Sequence, residues 1–332
     1  HLSRHKRDLY TNLMNFQKQT NQEENSKLPW LILLLSLFIS TVASYYIHEN
    51  TFINKKLEFS LLCHELESKI LTRLESHAQI LRNVSAFMRT TDSVTRKKWK
   101  EYLDNSRSLH SLPGIQGIGL SVIIPKSQIN QHILKIRAEG FPEYKIKPEG
   151  DREIYSSIIY LEPFEGRNLR AFGFDMFSEK IRRKAMEDAR DFDAVSLSRK
   201  VTLVQETEKD VQAGALMYTP YYQKNMPIGT IEERRKAILG WVYSPYRMND
   251  LMKGILSDSS STIPTRLELF DDKNLIESNL LYDSHKDNKD YARSSNGLEI
   301  IIPIEFNKTI WTLRFTEAAE RSFFSTFNKS FI

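Results

Sequence analysis

Carboxylates are the side chains of this chain with the clearest potential to bind a ligand. Asp175 lies in the stretch FGFDMFSE, among aromatic residues and just before a helical segment. A carboxylate at the mouth of an apolar pocket accepts charge-assisted hydrogen bonds from ligand N–H groups, each contributing about 1.5–3 kcal/mol. The same group could instead order the turn before the helix, because a helix N-terminus favours negative charge. The sequence leaves both roles open.

A catalytic arrangement is harder to build from these residues. Asp175 and Glu206 are the acids that could flank a substrate bond as in a glycosidase, but nothing in the sequence fixes their separation. The histidines lack a recognised Ser or Cys nucleophile setting, and the sequence contains neither a Walker A loop nor a GxGxxG fingerprint. Cys63 is the single cysteine, which excludes an intrachain disulfide and a Cys-based zinc site. We therefore expect no catalytic residue, no metal and no cofactor in this portion.

Composition places the chain among folded proteins. It has 332 residues, of which 40% are hydrophobic and 27% charged, enough for one large or two ordinary domains. The net charge of +5 is spread along the chain, without a basic tract interleaved with aromatics. This distribution argues against a nucleic-acid partner.

A membrane helix is predicted at residues 29–47, the stretch PWLILLLSLFISTVASYYI, which contains no charged residue. Its length is close to the ~20 residues that cross a bilayer core. Trp30 at one end and Tyr45 and Tyr46 at the other suit the two interfaces. A polar stretch precedes it that is too long for the n-region of a signal peptide, so we expect an uncleaved anchor.

Flanking cations indicate the orientation of this anchor. Several precede it and few follow it soon after, which favours a cytoplasmic N-terminus. The preceding cations are Arg4, Lys6, Arg7, Lys18 and Lys27. Residues 1–28 are then expected to form a cytoplasmic tail and residues 29–47 to cross the inner (cell) membrane. Everything after His48 is expected in the periplasm or extracellular space.

Residues 48–90 read as a long amphipathic stalk helix. Apolar residues recur at three-, four- and five-residue steps without a Pro or Gly. They are Leu57, Leu61, Leu66, Ile70, Leu74, Ala78, Leu81, Val84 and Met88. Such a stripe suits pairing with a second copy, which predicts a homodimer through this helix, or packing on the chain's own domain.

Helix and strand patterns alternate over the remaining residues and predict an α+β fold with antiparallel sheets. Helices are predicted at 96–108, 127–138, 178–190 with Ser178 as N-cap, and 246–256. Strands are predicted at 118–124, from 155, and at 170–176, 200–206, 212–222, 237–245, 265–271, 297–307 and 309–317. A Ser-rich break at 257–261 divides a unit at 91–256 from a smaller one at 257–316.

Four separated motifs carry a resemblance to a known family. PGIQGIGLSVIIP, FGFDMFSEKIRRKAMEDARDFDAVSLSRKVTLVQE, QAGALMYTPYY and LGWVYSPYRMNDLM occur in the order that is typical of the CHASE domain. The chain resembles this extracytoplasmic sensor module of bacterial receptors and plant cytokinin receptors over roughly residues 48–315. The resemblance implies a stalk and two tandem PAS-like units, the membrane-distal one binding a small molecule. It also implies a juxtamembrane segment at 317–332, a second membrane helix and a cytoplasmic histidine kinase (a two-component system) or diguanylate cyclase.

The resemblance also implies a ligand site. Asp175 matches the Asp that hydrogen-bonds the adenine-type ligand in the plant receptors. Leu197 matches a hydrophobic wall, Met217 and Thr219 lie on a lining strand, and Gly240 matches a glycine that leaves room for the ligand. Glu206 stands near a polar contact that is Thr in the plant proteins, and a second acid favours a cationic or donor-rich molecule instead.

Three alternatives remain at this stage. A double-Cache sensor also has a long helix and two PAS-like units, although its Arg, Trp and Asp pattern is not evident here. A membrane-anchored protein-binding module would show a shallow apolar patch in place of a closed cavity. A membrane-tethered hydrolase would turn over a generic substrate.

Overall fold

The computed structural model describes residues 2–106, 114–207, 210–256, 265–286 and 297–317, and the side chains of 2–9 and 15–27 lie outside this description. The predicted Ser-rich break at 257–261 and nearly all of the juxtamembrane segment at 317–332 fall outside the described residues. The chain forms two compact units, residues 1–60 and 61–332. They are described in turn.

The first unit consists of the N-terminal part of helix α1, which spans Leu2–Thr90. From residue 28 onward it includes a window of mean hydropathy 1.9 with no buried residue. Among the described residues, it is the one helix that is both long enough and apolar enough to cross a membrane. The predicted membrane segment at 29–47 lies inside it.

In the second unit, residues 61–90 of α1 bury an apolar stripe. The buried members are Leu62, Leu66, Ile70, Leu74, Ala78, Leu81, Val84 and Met88. Ser85 Oγ donates to the carbonyl of Pro220 at 2.8 Å, and the ring of His77 stacks on Tyr246. These residues therefore pack against the chain's own domain, whereas Leu61 of the predicted stripe is exposed and the homodimer stays a prediction.

A five-stranded antiparallel sheet forms the centre of this unit. Its strands are β1 (Ile118–Pro125), β2 (Ile154–Glu162), β3 (Ser196–Leu197), β4 (Gly214–Tyr222) and β5 (Ile238–Arg247). Their order is β2-β1-β5-β4-β3. The helices between and after them are α2 (Arg96–Asn105), α3 (Ile129–Ala138), α4 (Lys180–Phe192), α5 (Ile231–Ala237) and α6 (Met248–Leu256).

Helix α4 and the sheet enclose the main apolar cluster. Its buried helical members are Ala185, Met186 and Ala189, which recur at the spacing of one helical face. Aromatic residues of the sheet, including Trp241 and Tyr243, fill the opposite side. The indole Nε1 of Trp241 donates to the carbonyl of Met186 at 2.9 Å, which ties the helix to β5.

A second antiparallel sheet contains β6 (Thr265–Asp271), β7 (Leu280–Asp283), β8 (Glu299–Phe306) and β9 (Thr309–Glu317) in the order β7-β6-β9-β8. Asn307 and Lys308 join β8 to β9 with φ of 45° and 72°. Two such residues make a tight two-residue hairpin turn. The two sheets and the long apolar helix confirm the predicted α+β class.

Two predicted strands are absent from the described structure. Residues 170–176 form parts of two 3₁₀ turns, Gly166–Ala171 and Met176–Ser178. Gly173 between them has φ of +80°, and a Cβ there would collide with the carbonyl of Lys145, so the chain turns away. Residues 200–206 contribute a single bridge, Val201 to Gly214. Hydrophobic alternation did not reveal these turns.

The predicted N-cap of α4 was also wrong. The Ser178 hydroxyl donates to the carbonyl of Asp175 at 2.6 Å and so belongs to the preceding turn. The Glu179 carboxylate accepts from the backbone N–H groups of Ile181 and Arg182 at 2.9 and 3.0 Å. A longer side chain one residue later therefore satisfies the free donors of the helix.

Candidate functional site

Asp175 is held at the outer edge of β2. Its backbone N–H donates to the carbonyl of Lys147 at 2.6 Å. Two residues before it, the N–H of Gly173 donates to the carbonyl of Ile158, and the N–H of Ile158 donates to the carbonyl of Phe174. These bonds fix the segment against the strand, and the Asp175 side chain has no exposed surface.

The two oxygens of this carboxylate have different partners. Oδ1 accepts from the backbone N–H of Ser156 at 2.8 Å, from the Ser156 hydroxyl at 3.2 Å and from the N–H of Phe177 at 3.0 Å. Oδ2 accepts from Nε of Arg152 at 3.0 Å. Oδ1 therefore binds mainly backbone N–H groups, whereas Oδ2 binds the side chain of Arg152, which is 24% exposed.

Arg152 folds back from the loop before β2 to reach this oxygen. Its Nη2 donates to the carbonyl of Pro148 at 2.5 Å, and its guanidinium lies 5.0 Å from the ring centre of Tyr155. The Tyr155 hydroxyl donates to the carbonyl of Gly150 and closes the loop. The guanidinium thus occupies the place where a ligand donor group could meet Asp175. The sequence did not indicate this partner, because local patterns do not reveal an ion pair that spans 23 residues.

Glu206 lies in a separate ion-pair network. Its side chain is 4% exposed and accepts from Nε of Arg247 at 2.7 Å. Arg247 also donates to the carboxylates of Asp210 at 2.7 Å and Asp250 at 2.8 Å. Burial lowers the pKa of the Arg247 guanidinium, but the hydrogen bonds to Glu206 and Asp210 and the charge of Asp250 outweigh it and raise the pKa above its ordinary value. A cationic ligand would have to displace Arg247 to reach Glu206, so that role stays a prediction.

The other predicted site residues lie on β3, β4 and β5. Leu197 pairs with Met217 in the register, and both are buried. Met217 Sδ lies 3.7 Å from the hydroxyl of Tyr246, which stacks on α1. Thr219 borders a cavity of about 370 Å³ beside the same helix. These three residues are therefore neighbours of one another.

Gly240 lies where β5 passes close to β1. It pairs with Val122, and a Cβ at this position would collide with the carbonyl of Ser121. The space left by the missing side chain is occupied by the neighbouring strand.

Asp175 and Leu197 lie at opposite edges of the sheet. Asp175 binds β2 and Leu197 belongs to β3, four inter-strand steps apart. At about 4.8 Å per step this is roughly 19 Å. A small ligand that contacts Asp175 is then distant from Leu197 in this conformation. Contact of the ligand with each of the six residues stays a prediction.

An unsatisfied hydroxyl lies within the main apolar cluster. Tyr243 is fully buried, and its hydroxyl has no hydrogen-bond partner within the described residues. The neighbouring Tyr218 hydroxyl reaches only the sulfur of Met176 at 3.4 Å. Burial raises the pKa of both tyrosines, so they stay neutral donors. Met176 and Phe177, which follow Asp175 directly, belong to the same cluster.

The sequence of β5 could have indicated that the Tyr243 hydroxyl is buried. Trp241 and Tyr243 are two residues apart on this strand and therefore lie on the same face. Chemically, the arrangement offers hydrogen bonds and apolar contact. Within the described residues, no group of three or more His, Cys, Asp or Glu side chains is placed to hold a metal ion.

The sequence of this chain was compared with known protein families and with curated proteins. Residues 92–282 match the CHASE domain family, over more than half of the chain. No curated protein matches the chain. The matched region begins just after α1 and contains the whole first sheet together with β6 and nearly all of β7. This chain belongs to the CHASE domain family, the non-catalytic sensory modules of signalling receptors.

Proposed function

We propose that this chain is the extracytoplasmic ligand-sensing region of a membrane receptor and that a small molecule binds between the first sheet and α4. The observation that carries the proposal is the asymmetry of Asp175, whose Oδ1 is committed to the backbone while Oδ2 is bound by a partly exposed arginine. The unsatisfied Tyr243 hydroxyl supports it, because a buried hydroxyl without a partner costs about 1–3 kcal/mol that a ligand could recover.

Ligand binding exchanges one partner of Asp175 for another. A ligand N–H group replaces Nε of Arg152 at Oδ2, and the loop 147–153 that carries Arg152 moves outward. The apolar body of the ligand enters the cluster beside Phe177, and its polar atoms reach Tyr243. Since the cluster is filled in this conformation, binding favours a second, more open arrangement by its difference in affinity for the two.

The opposite face of the sheet provides a route for the signal. Residues 61–90 of α1 pack there through the Ser85–Pro220 hydrogen bond and the His77–Tyr246 stack. A change in the sheet therefore acts on a helix that contains a candidate membrane span. We propose that each sheet belongs to a PAS-like unit, with boundaries 91–256 and 257–316. We also propose that a homodimer and a second membrane helix carry the signal to a cytoplasmic histidine kinase or diguanylate cyclase.

A binding screen tests the ligand site. The full chain in phosphatidylcholine nanodiscs is heated with adenine derivatives, amino acids and small lipids. A ligand present at a hundredfold excess over its Kd stabilises the folded state by about 2.7 kcal/mol. We expect Asp175→Asn to weaken binding of a hit and Arg152→Gln to strengthen it, because the competing donor is removed.

Asp104→Asn on α2 is the matched control, because Asp104 pairs with the exposed Lys100 away from α4 and should not affect the ligand. A hit whose affinity is the same in the Asp175→Asn, Arg152→Gln and Asp104→Asn proteins would refute the proposed site.

We further propose that the N-terminus is cytoplasmic. Single cysteines at Ser3 and His48, introduced one at a time in a Cys63→Ala background, report on the two sides. An impermeant maleimide added to intact cells should label the position-48 cysteine and spare the position-3 cysteine. The reverse pattern would contradict the orientation.

A further inference from the structure

A cleft of about 730 Å³ lies between α4 and the hairpin turn that joins β8 to β9. It is separate from Asp175 and borders Leu197 at the outer edge of the first sheet. The Thr309 hydroxyl donates to the carbonyl of Leu197 at 2.9 Å and joins the two sheets beside it. Its volume falls within the range of small-molecule sites, which often lie where two structural units meet.

The cleft has an apolar lining. Ile181 and Phe192 on α4 are 37% and 47% exposed, although both are large hydrophobic residues. Ala185 between them, Leu197 and Ile310 complete the apolar surface. An exposed apolar surface inside a concavity gains free energy when an apolar molecule removes it from water.

Charge distinguishes this cleft from a simple apolar groove. Lys184 is neutralised by Asp188 at 2.5 Å, and Arg199 pairs with Asp271 at 2.8 Å and with Asp272 at 3.0 Å. Two more cations line the cleft, Lys180 and Lys308, and neither has an acidic partner within the described residues.

The ammonium of Lys308 lies over the ring of Phe192, at 2.8 Å from its centre. Together with Lys180 it gives the cleft one more cation than the acids Asp188, Asp271 and Asp272 balance, so the rim is net positive.

We propose that this cleft binds a small amphipathic anion, an aromatic or aliphatic carboxylate. Its apolar part covers Ile181 and Phe192, and its carboxylate lies at the rim formed by Lys180 and Lys308. A bound anion bridges α4 and the β8–β9 turn and thereby strengthens the contact between the two sheets. The site is distinct from the one proposed at Asp175 and does not depend on it.

The probe for this site is 2-naphthoate, compared with its neutral isostere 2-naphthamide. Isothermal titration uses the full chain in phosphatidylcholine nanodiscs, with empty nanodiscs as the blank. We expect one naphthoate per chain and weaker binding of the amide. Lys180→Gln and Lys308→Gln should each weaken naphthoate binding about twofold to fivefold, the range of a solvent-accessible ion pair.

Ile181→Trp fills the cleft from an exposed position and should abolish binding. Arg183→Gln, an exposed change elsewhere on α4 that removes the same charge, should leave binding unchanged, as should Asp175→Asn. Loss of naphthoate binding in Asp175→Asn but not in Ile181→Trp would assign the anion to the other site and overturn this proposal. Equal binding of acid and amide, equal effects of the three cation variants, or no binding above the nanodisc blank would also overturn it.

Discussion

At the scale of single residues, Asp175 combines a structural and a proposed binding role in one carboxylate. Oδ1 satisfies the buried N–H groups of Ser156 and Phe177, and Oδ2 holds Arg152. The alternative that Asp175 orders the turn before the helix is therefore correct for one oxygen. The other oxygen is bound by Arg152, and its exchange for a ligand donor is what we propose.

Asp175→Ala should destabilise the fold by about 1–3 kcal/mol, the cost of an unpaired buried group. The N–H of Ser156 loses this acceptor, the N–H of Phe177 keeps only the Ser156 hydroxyl, and Arg152 loses its carboxylate partner. Asp175→Asn keeps an acceptor and should cost less. Urea unfolding measures both, with Asp188→Asn as an exposed control. A loss below 1 kcal/mol in Asp175→Ala would contradict the structural role.

His77 is a second residue whose burial affects the stability of the fold, in this case through its protonation. It is 1% exposed, and neither ring nitrogen has a hydrogen-bond partner within the described residues. Burial, and to a smaller extent the charge of Arg73, lowers the pKa of His77 from 6.5 to about 3. Below pH 6.5 the imidazole of His77 is therefore protonated in the unfolded chain, whereas in the folded chain it stays neutral until the pH approaches 3. The stability that His77 contributes is present above pH 6.5 and is lost as the pH falls toward 3.

At pH 5 this loss amounts to about 2 kcal/mol, at 1.36 kcal/mol per pH unit. The substitution His77→Phe keeps an aromatic ring stacked on Tyr246 and removes no hydrogen bond. The free energy of unfolding of this variant should therefore depend less on pH between 4 and 6.5. His132, whose pKa is lowered to about 4 chiefly by burial, retains part of the slope. Urea midpoints against pH, with the exposed His64→Gln as control, measure the difference. Parallel curves for His77→Phe and the unmodified chain would refute this account.

At the scale of secondary-structure elements, the close approach of β1 and β5 depends on a glycine. Gly240 has no positive φ, so its importance lies in the missing side chain. The carbonyl of Ser121 takes the space that a Cβ would need. Both strands are central in the sheet, so a displacement there affects the packing of α4 on one face and α1 on the other.

Gly240→Ala should therefore destabilise the fold by about 1–3 kcal/mol, the usual cost of overpacking. Gly229→Ala is the matched control, because a Cβ there meets only the carboxylate end of Glu233 at 3.3 Å. Thermal unfolding of the two variants compares them. A Gly240→Ala protein as stable as the Gly229→Ala protein would show that the strands can separate without cost.

At the scale of the whole second unit, several polar groups contribute to the contact between the two sheets. The Asp271 carboxylate, nearly buried, accepts from the backbone N–H of Lys200 at 2.8 Å and pairs with Nε of Arg199 at 2.8 Å. Both partners follow β3, the edge strand of the first sheet. This contact and the Thr309–Leu197 hydrogen bond connect the sheets beside the 730 Å³ cleft.

Asp271→Ala should loosen this connection and lower the hydrogen-exchange protection of β6 and β9, while β4 and β5 keep theirs. The reason is that the partly buried N–H of Lys200 loses its acceptor and Arg199 keeps only the Asp272 carboxylate as an acidic partner, and both changes lie at one boundary. Lys273→Ala, an exposed change at the same turn, is the control. Uniform loss of protection over both sheets would show instead that they unfold together.

Local sequence patterns determined several features by themselves. The uncharged run at 29–47, the apolar repeat of α1 and the face of α4 that bears Ala185 and Ala189 are all visible as composition or period, because neighbouring residues create them. Three strands of the second sheet, β6, β8 and β9, and the turn near Asn307 and Lys308 were predicted for the same reason, whereas β7 was not predicted. Family motifs, which also consist of consecutive residues, led to the CHASE assignment.

Only the tertiary structure decided what these elements contact. Arg152 as the partner of Asp175, Arg247 as the partner of Glu206, and Ser121 in the space beside Gly240 all come from distant parts of the chain. The cleft between α4 and the β8–β9 turn likewise exists only once both sheets are packed. Hydrophobic periodicity indicates which face of an element is buried but not which element it packs against, because the apolar pattern is local whereas the packing partner is set by three-dimensional position.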